Sequence, residues 1–270
     1  MARNQSIARN TRISVIVALC FAILTANSVL AQTNSSASQD QWQYSGAIYL
    51  WGADIGGTTI RGSEVEVGFS DLVDNLEMAF MGAFEARKNN WSFLADVIYL
   101  DLGVDNTADL SIPIGGSLLP VTTTTDLDLN TWVLQFAGGY GLYSEGDSRL
   151  DLVAGARYLD LSMDLFLGLQ SALGPGQSRT ISDSLTALDG IVGLKGQASL
   201  GERWFLSYYV DVGAGDSDLT WQAVAGIGYR AGRIWNLALV YRHLEWDLDS
   251  TRVIDDINFS GPTLGVIFRW

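Results

Sequence analysis

The sequence predicts an all-β protein, a closed antiparallel up-and-down transmembrane β-barrel of about ten strands, with eight or twelve strands as alternatives. Apolar and polar residues alternate in segment after segment, which is the pattern of strands with one apolar face. Short and longer connections also alternate along the chain, as they do in membrane barrels. Beyond residue 31, no segment approaches the roughly 20 continuous apolar residues that a membrane helix requires.

Two segments show the alternation most clearly. Between Trp204 and Val212 the even-numbered residues are apolar or aromatic, and Asp211 lies on the opposite face. Between Trp221 and Tyr229 the odd-numbered residues are apolar, and the other face is small and polar. The same pattern, followed along the chain in order, predicts strands at 41–55, 76–88, 91–105, 121–143, 148–165, 185–200, 203–216, 218–231, 234–249 and 257–270.

The connections between these strands fall into two classes. Tight turns are expected at 89–90, 144–147, 201–202 and 232–233, and longer connections at 56–75, 106–120, 166–184 and 250–256, with 216–218 as a short exception. Ser70 is a candidate cap for a short helix in the first long connection, which would fold over the mouth of the barrel. The first connection or residues 166–184 could hold an extra hairpin.

The first residues predict export. Three arginines precede an uncharged apolar stretch at 13–24, and small residues at Val29 and Ala31 suit cleavage after Ala31. We therefore expect a signal peptide at 1–31 and one barrel domain at 32–270. Cys20 lies within the leader, and Leu19 stands where a lipoprotein signal requires a small residue. The mature chain then has no cysteine, which excludes disulfides and thiolate chemistry.

Composition narrows the class of partner. The chain carries a net charge of −14, which disfavours nucleic acid. It is nevertheless 48% hydrophobic, with nine Trp, ten Tyr and ten Phe. This combination is typical of a protein whose apolar face contacts lipid.

Several segments carry a family resemblance, namely LGVIFRW at the end of the chain and MGAFEAR, LADVIYLDL, GARYLDL and TWQAVAGIGYR before it. On these the chain resembles small outer-membrane β-barrel proteins of Gram-negative bacteria, including a widespread porin-like family of unassigned function. The resemblance implies a place in the outer membrane of the cell envelope and contact with lipid and lipopolysaccharide. It also implies that the barrel-assembly machinery recognises a terminal signal formed by Leu264, Val266, Phe268 and Trp270. It transfers no catalytic residue.

An internal echo indicates the register. The segments VIYLDLGVD, ARYLDLSMD and YRHLEWDLD align, so that Tyr99, Tyr158 and His243 occupy equivalent places near the outer ends of their strands. Together with Trp204 and Trp221 they are expected to form aromatic girdles, where rings lie between acyl chains and headgroups.

The faces opposite the apolar ones predict a charged lumen. Such charges would form a cross-lumen salt-bridge network, because an unpaired charge in a narrow barrel is costly, or a charged filter for a solute. The predicted network comprises Glu85, Arg87, Asp96, Asp151, Arg157, Asp189, Lys195, Asp211, Arg230, Arg242 and Arg269.

The single histidine is the only candidate for general-base chemistry. His243 is followed two residues later by Glu245. An omptin-like protease would place the histidine opposite an acid pair, for which Asp126 and Asp128 are candidates, but omptins have an Asp where Tyr241 stands here. Lipid A deacylase barrels have a serine two residues after the histidine, and Glu245 departs from that pattern too.

Acidic residues crowd the expected outer rim. They could bind Ca²⁺ or Mg²⁺, or form a solvated acidic face. The rim comprises Asp101, Asp105, Asp126, Asp128, Asp160, Asp164, Asp216, Asp218, Asp247, Asp249, Asp255 and Asp256. No motif indicates a cofactor or a dedicated metal site.

The sequence therefore predicts a non-enzymatic outer-membrane barrel protein, either structural or a narrow solute channel with a charged lumen. Two alternatives stay open. One is an omptin-like or lipid A-modifying surface hydrolase, and the other is a surface adhesin or receptor.

Overall fold

The computed structural model describes residues 41–59, 64–114, 117–171, 174–248 and 254–270, so that the predicted signal peptide at 1–31 lies outside the described residues. One short helix, α1 (Phe69–Asp74), interrupts a chain of strands. The strands are β1 (Gln43–Trp51), β2 (Asp54–Thr59), β3 (Glu64–Val67), β4 (Leu76–Lys88), β5 (Trp91–Ile114), β6 (Ser117–Glu145), β7 (Ser148–Ser171), β8 (Gly174–Ser199), β9 (Trp204–Gly215), β10 (Leu219–Arg230), β11 (Trp235–Asp247) and β12 (Ile254–Arg269).

Ten of these strands close into a ring. Each strand from β4 to β12 pairs antiparallel with the next, and β1 pairs with both β4 and β12. The closing register runs from Ser45 opposite Arg269 to Trp51 opposite Thr263. The predicted closed, up-and-down barrel of ten strands is confirmed.

The first long connection holds the two remaining strands. The β2–β3 hairpin adds to the outer part of β12, where Asp54 pairs with Ser260. α1 begins at Phe69, whose backbone N–H donates to Asp54 Oδ1 at 2.7 Å. The side chain of Asp54 therefore caps the helix, and Ser70, the predicted cap, lies within it. The described part of this connection extends the barrel wall at β12. None of the helices among the described residues is long and apolar enough to cross a membrane.

Two predicted long loops are wrong. Residues 106–114 and 117–120 continue β5 and β6, and most of 166–184 continues β7 and β8. These four strands are 24–29 residues long, whereas a membrane crossing needs about 9–11 residues. Pairing persists through residues 106–109 because they lie opposite Thr122–Thr125 of β6, and β-branched residues favour strands without any lipid contact. Two long hairpins therefore extend the wall outward.

The tight turns lie at the opposite end of the barrel. Asn89, Gly146 and Gly201 have positive φ angles of 53°, 57° and 118°, as close reversals between neighbouring strands require. Because the ring has an even number of strands, β1 begins and β12 ends at this same turn end.

The two faces of the wall differ as the alternation predicts. On β9, Val210 and Val212 are each 48% exposed, whereas Phe205 and Asp211 are 1% and 2% exposed. The apolar outward face is the belt that lipid would cover.

The interior departs from the expected small, polar lumen. Its outer half is filled by apolar and aromatic side chains, the largest fully buried one being Trp246. The buried members of this interior cluster are Tyr49, Trp51, Ala53, Met81, Ile98, Val133, Leu159, Leu161, Leu185, Ala187, Leu244, Trp246, Leu248, Ile257 and Phe259.

Candidate functional site

The inward-facing charges form two groups, the first of which lies near the turn end. Glu85 accepts hydrogen bonds from Arg87 at 2.9 Å and from Lys195 at 2.5 Å, and Arg149 lies 3.7 Å away. Arg87 also pairs with Asp151, which is fully buried. We call these five residues the basal cluster. Two carboxylates thus meet three cations, so both acids are compensated within the wall.

The second group crosses the middle of the lumen and is organised by two buried arginines. Arg157 is 0% exposed and pairs with Asp211 at 2.5 Å. It also donates to Gln135 at 2.8 and 3.1 Å and to Thr220 at 3.0 Å. The guanidinium of Arg157, which lies on β7, is therefore bound by the neighbouring strand β6 and by β9 and β10, which lie two and three strands away on the other side.

Arg242 organises the other half of this layer. It donates to Gln222 Oε1 at 2.8 Å and to the Tyr49 hydroxyl at 3.0 Å, and it lies 3.4 Å from Asp96. The Tyr49 hydroxyl donates in turn to Asp96 at 2.8 Å. Because Gln222 also lies 3.5 Å from Asp211, the two halves form one continuous layer, which we call the arginine layer.

A cavity of about 280 Å³ lies between the basal cluster and the arginine layer. Its lining includes Glu85 and Lys195 of the basal cluster, Asp96 and Arg242 of the arginine layer, and Tyr209. The lumen therefore retains a space in its turn-end half that both charged and apolar side chains line.

Aromatic rings cover the arginine layer on the outer side. The Arg157 guanidinium lies 5.8 Å from the Trp246 ring, and that of Arg242 lies 4.8 Å from the Trp51 ring. Trp246, Leu159 and Leu244 are each 0% exposed. We call this outer part of the interior the apolar seal, since its side chains fill the cross-section that a solute would have to pass.

The remaining residues of the predicted network lie apart from these two groups. Arg230 donates to the backbone carbonyls of Gly201 and Glu202 and pairs with Asp147 at 3.3 Å, all near the turns. Arg269 donates to Gln197 at 3.3 Å. Asp189 accepts the backbone N–H of Ser217 at 2.9 Å. The structure thus distributes the eleven predicted residues over separate levels of the barrel.

Sequence reasoning missed several partners on the same inward face. Tyr49, Gln135, Gln222 and Thr220 supply neutral hydrogen-bond partners to the arginines, and Arg149 adds a third cation to Glu85. The first four lie on the inward face of their strands, so the alternation of residues could have identified them. They were missed because the predicted network included only charged residues.

His243 lies on the outward face of β11, opposite Ser260 of β12. Its Nδ1 lies 2.5 Å from Ser260 Oγ, and its Nε2 lies 3.0 Å from Glu245 Oε2. The Trp221 ring lies 4.4 Å from the imidazole ring and is tilted by 37° to it. One ring nitrogen of the histidine thus contacts a hydroxyl group, and the other contacts a carboxylate.

The acid pair considered for an omptin-like site lies elsewhere. Asp126 and Asp128 belong to β6, which four strands separate from β11 in either direction around the ring. Asp128 is exposed, on the face opposite Leu129, which packs against the interior. The structure does not bring this pair to His243.

A closed antiparallel ring with an apolar outward belt is now established. The fold is that of an outer-membrane β-barrel. No protein-family model and no curated protein matches the sequence. Among solved structures, the barrel is similar to the outer membrane protease OmpT from Escherichia coli, with 13% identity over 90% of this chain and 99% of that chain and a TM-score of 0.44.

Two further solved barrels are similar. The translocator domain of the autotransporter NalP from Neisseria meningitidis shares 16% identity over 99% of this chain and 98% of that chain, with a TM-score of 0.40. The attachment invasion locus protein Ail of Yersinia pestis, in complex with sucrose octasulfate, shares 12% identity over 85% and 98% of the two chains, with a TM-score of 0.36.

The other predicted girdle residues pair with aromatic or acidic neighbours. Tyr99 lies 4.5 Å from the Trp132 ring, and Trp204 lies 4.9 Å from the Tyr229 ring. Tyr158 donates to Asp160 at 3.0 Å.

The predicted assembly signal lies on the outward face of β12. Leu264, Phe268 and Trp270 are 57%, 38% and 53% exposed, and Val266 is half-buried. The Trp270 ring stacks 6.2 Å from Tyr44, and the two backbones exchange hydrogen bonds of 3.0 Å.

The acidic rim is described in part, and Asp249 lies outside the described residues. Burial, followed by the nearby carboxylates of Asp218, Asp255 and Asp256, raises the pKa of Asp247. Within the described ranges, no three His, Cys, Asp or Glu side chains come together in a group that could hold a metal ion. Divalent cations at this rim stay a prediction.

Proposed function

We propose that the protein is a structural outer-membrane β-barrel whose sealed lumen does not conduct solutes at rest. One observation carries this proposal, namely that Arg157 and Trp246 are both 0% exposed at the centre of the lumen. An open channel would leave such side chains in contact with water. Lipid and lipopolysaccharide would surround the apolar belt.

The charges of the lumen support the same conclusion. Arg157 and Arg242 each have a carboxylate partner and at least one neutral acceptor, so the layer is compensated internally. A conduction filter would present charge to a passing solute, whereas these groups are directed at one another. They hold distant strands together across the lumen.

Among the residues that the structure describes, the interior holds neither a histidine nor a cysteine. The single histidine faces outward, and the chain's one cysteine lies in the predicted leader. We therefore propose that the lumen is non-enzymatic and serves the stability of the barrel.

Planar-bilayer recording tests the sealed lumen. The refolded wild-type barrel should give no resolved current steps, whereas Trp246→Ala/Leu159→Ala should give steps, because both replaced side chains belong to the apolar seal. Circular dichroism and heat-modifiable migration would show that each variant is folded.

The matched control is Arg230→Gln. Arg230 bonds to backbone carbonyls near the turns, outside the seal, so this variant should stay as silent as the wild type. Regular current steps from the wild-type barrel would overturn the sealed-lumen proposal.

A further inference from the structure

The contacts of His243 go beyond what an aromatic girdle requires. Ser260 Oγ and Glu245 Oε2 occupy its two ring nitrogens at 2.5 and 3.0 Å. Since an ionised carboxylate only accepts hydrogen bonds, Nε2 carries the proton that Glu245 accepts. Nδ1 is then free to accept the hydroxyl proton of Ser260. This chain of carboxylate, imidazole and hydroxyl is the arrangement that activates a serine nucleophile.

We propose that Ser260, His243 and Glu245 form a hydrolytic triad on the outward face of the barrel, and that its substrates are acyl esters of membrane lipids. This inference goes beyond the sealed lumen and does not depend on it. Ser260 is the nucleophile, His243 the general base and acid, and Glu245 the group that orients the imidazole.

An internal comparison separates this site from an ordinary girdle position. Tyr99 and Tyr158 occupy the equivalent places, and each donates to an aspartate two residues later, at 3.1 and 3.0 Å. Their cross-strand neighbours are Phe80 and Trp132 for Tyr99, and Leu134 and Leu188 for Tyr158. Only the histidine of these three aligned positions has a hydroxyl opposite it.

The position of the triad selects a lipid substrate. On the same outward face toward the turn end, Tyr241, Leu239 and Leu264 are 58%, 52% and 57% exposed, as lipid-facing residues are. On the other side of the triad lie Asp247 and Asp256, which are paired across β11 and β12. The triad therefore lies where the apolar belt meets the acidic rim. Ester groups of membrane lipids lie at this same boundary, between acyl chains and headgroups.

The reaction balances without a cofactor. Ser260 Oγ attacks the ester carbonyl carbon while its proton passes to His243 Nδ1, and the C–O bond to the alcohol breaks as His243 returns that proton to the leaving oxygen. Water then attacks the carbonyl carbon of the acyl-serine and gives one proton to His243, and the C–O bond to Ser260 breaks as His243 passes that proton to Ser260 Oγ, which releases the fatty acid. One ester and one water become one carboxylic acid and one alcohol.

The same face offers a donor for the negative charge that develops on the carbonyl oxygen. Asn258 lies two residues before Ser260, opposite Glu245. Its amide lies close over Gly56, where a side-chain carbon would come within 3.0 Å of Nδ2. A side-chain amide N–H is one of the donors that stabilise an oxyanion in acyl transfer.

The experiment uses the whole refolded barrel in mixed micelles, with two separate substrates. One arm contains phosphatidylethanolamine and the other lipopolysaccharide, and released fatty acid is measured by mass spectrometry. A fluorophosphonate probe, which labels activated serines, is followed to the modified residue by peptide mapping. We expect fatty acid in at least one arm and a probe adduct on Ser260, and the arm that reacts identifies the lipid.

Variants separate catalysis from folding. Ser260→Ala should abolish both release and labelling, and His243→Tyr should lower release at least about a hundredfold, because positioned general bases contribute factors of this order. His243→Tyr recreates the residue that the two echo positions carry, so the girdle should still form. Ser162→Ala, which removes an exposed serine of β7, should change neither readout.

Two results would overturn the triad. One is the absence of release from both lipids together with no adduct on Ser260 in a folded wild-type barrel. The other is release that Ser260→Ala leaves unchanged. Because Ser260→Ala does not touch the lumen, bilayer recordings should be silent for it as for the wild type, so failure of the triad and failure of the sealed lumen are distinguishable.

Discussion

Replacing Arg157 by methionine should destabilise the barrel by about 3–5 kcal/mol, the usual cost of removing one partner of a buried ion pair. The variant keeps an unbranched side chain but leaves the carboxylate of Asp211 without its cation in a site that is 2% exposed. Gln135 and Thr220 also lose the hydrogen bonds that Arg157 donates to them. The measurement is the free energy of unfolding in urea, with the barrel in phospholipid vesicles and tryptophan fluorescence as the signal.

A second replacement distinguishes a lost pair from a lost side chain. Arg157→Met/Asp211→Leu removes both charges, and its stability should return to that of the wild type or exceed it by about 1–4 kcal/mol, as isosteric apolar replacements of buried pairs do. Arg203→Met is the matched control, since Arg203 is exposed and bonds to Tyr229 at the turn end, and it should change stability by less than about 0.5 kcal/mol. A single Arg157→Met variant as stable as this control would show that the pair contributes little.

The barrel itself could be predicted because side chains alternate between the two faces of a strand, so assigning one residue to a face assigns all the others. Once Trp204 and Val212 are assigned to the lipid side, every second residue of β9 must point inward. The strand number followed from the turns at Asn89, Gly146 and Gly201, where short polar or glycine residues end two apolar runs.

The apolar seal could not be predicted because both faces of the strands are apolar there, and apolar and polar residues no longer alternate. Between Val97 and Leu100 four successive residues are apolar or aromatic, so the inward parity that Ile98 shares with Asp96 does not show whether the interior here is polar or filled by apolar side chains. The long hairpins were missed for the opposite reason. Beyond the membrane neither face must be apolar, so residues 106–120 and 166–184, which contain proline and glycine, resembled loops.

The pairing of His243 with Ser260 was also invisible in the sequence. The two residues are 17 positions apart, on different strands, and they meet only through the register of β11 and β12. A one-residue change in that register would place Ser260 on the inner face. A search for a serine close to the histidine along the chain could not find it.

Trp246→Ala should cost about 3–5 kcal/mol of unfolding free energy, as large-to-small replacements of buried aromatic residues do. Trp246 is 0% exposed, packs edge-on against Phe259 at 6.2 Å and lies 5.8 Å from the Arg157 guanidinium. Its replacement removes apolar contacts and also one cover of the arginine layer. Unfolding in urea, monitored by circular dichroism, gives the magnitude.

The matched control is Trp246→Phe, which keeps most of the ring volume. It should cost much less than alanine, because the indole Nε1 makes no hydrogen bond to any described residue and its loss leaves no partner unsatisfied. The double variant Trp246→Ala/Arg157→Met then tests the contact between ring and guanidinium. If the two side chains support each other, its cost will fall short of the sum of the single costs by about 0.5 kcal/mol or more. Strict additivity would mean that the seal and the arginine layer stabilise the barrel independently.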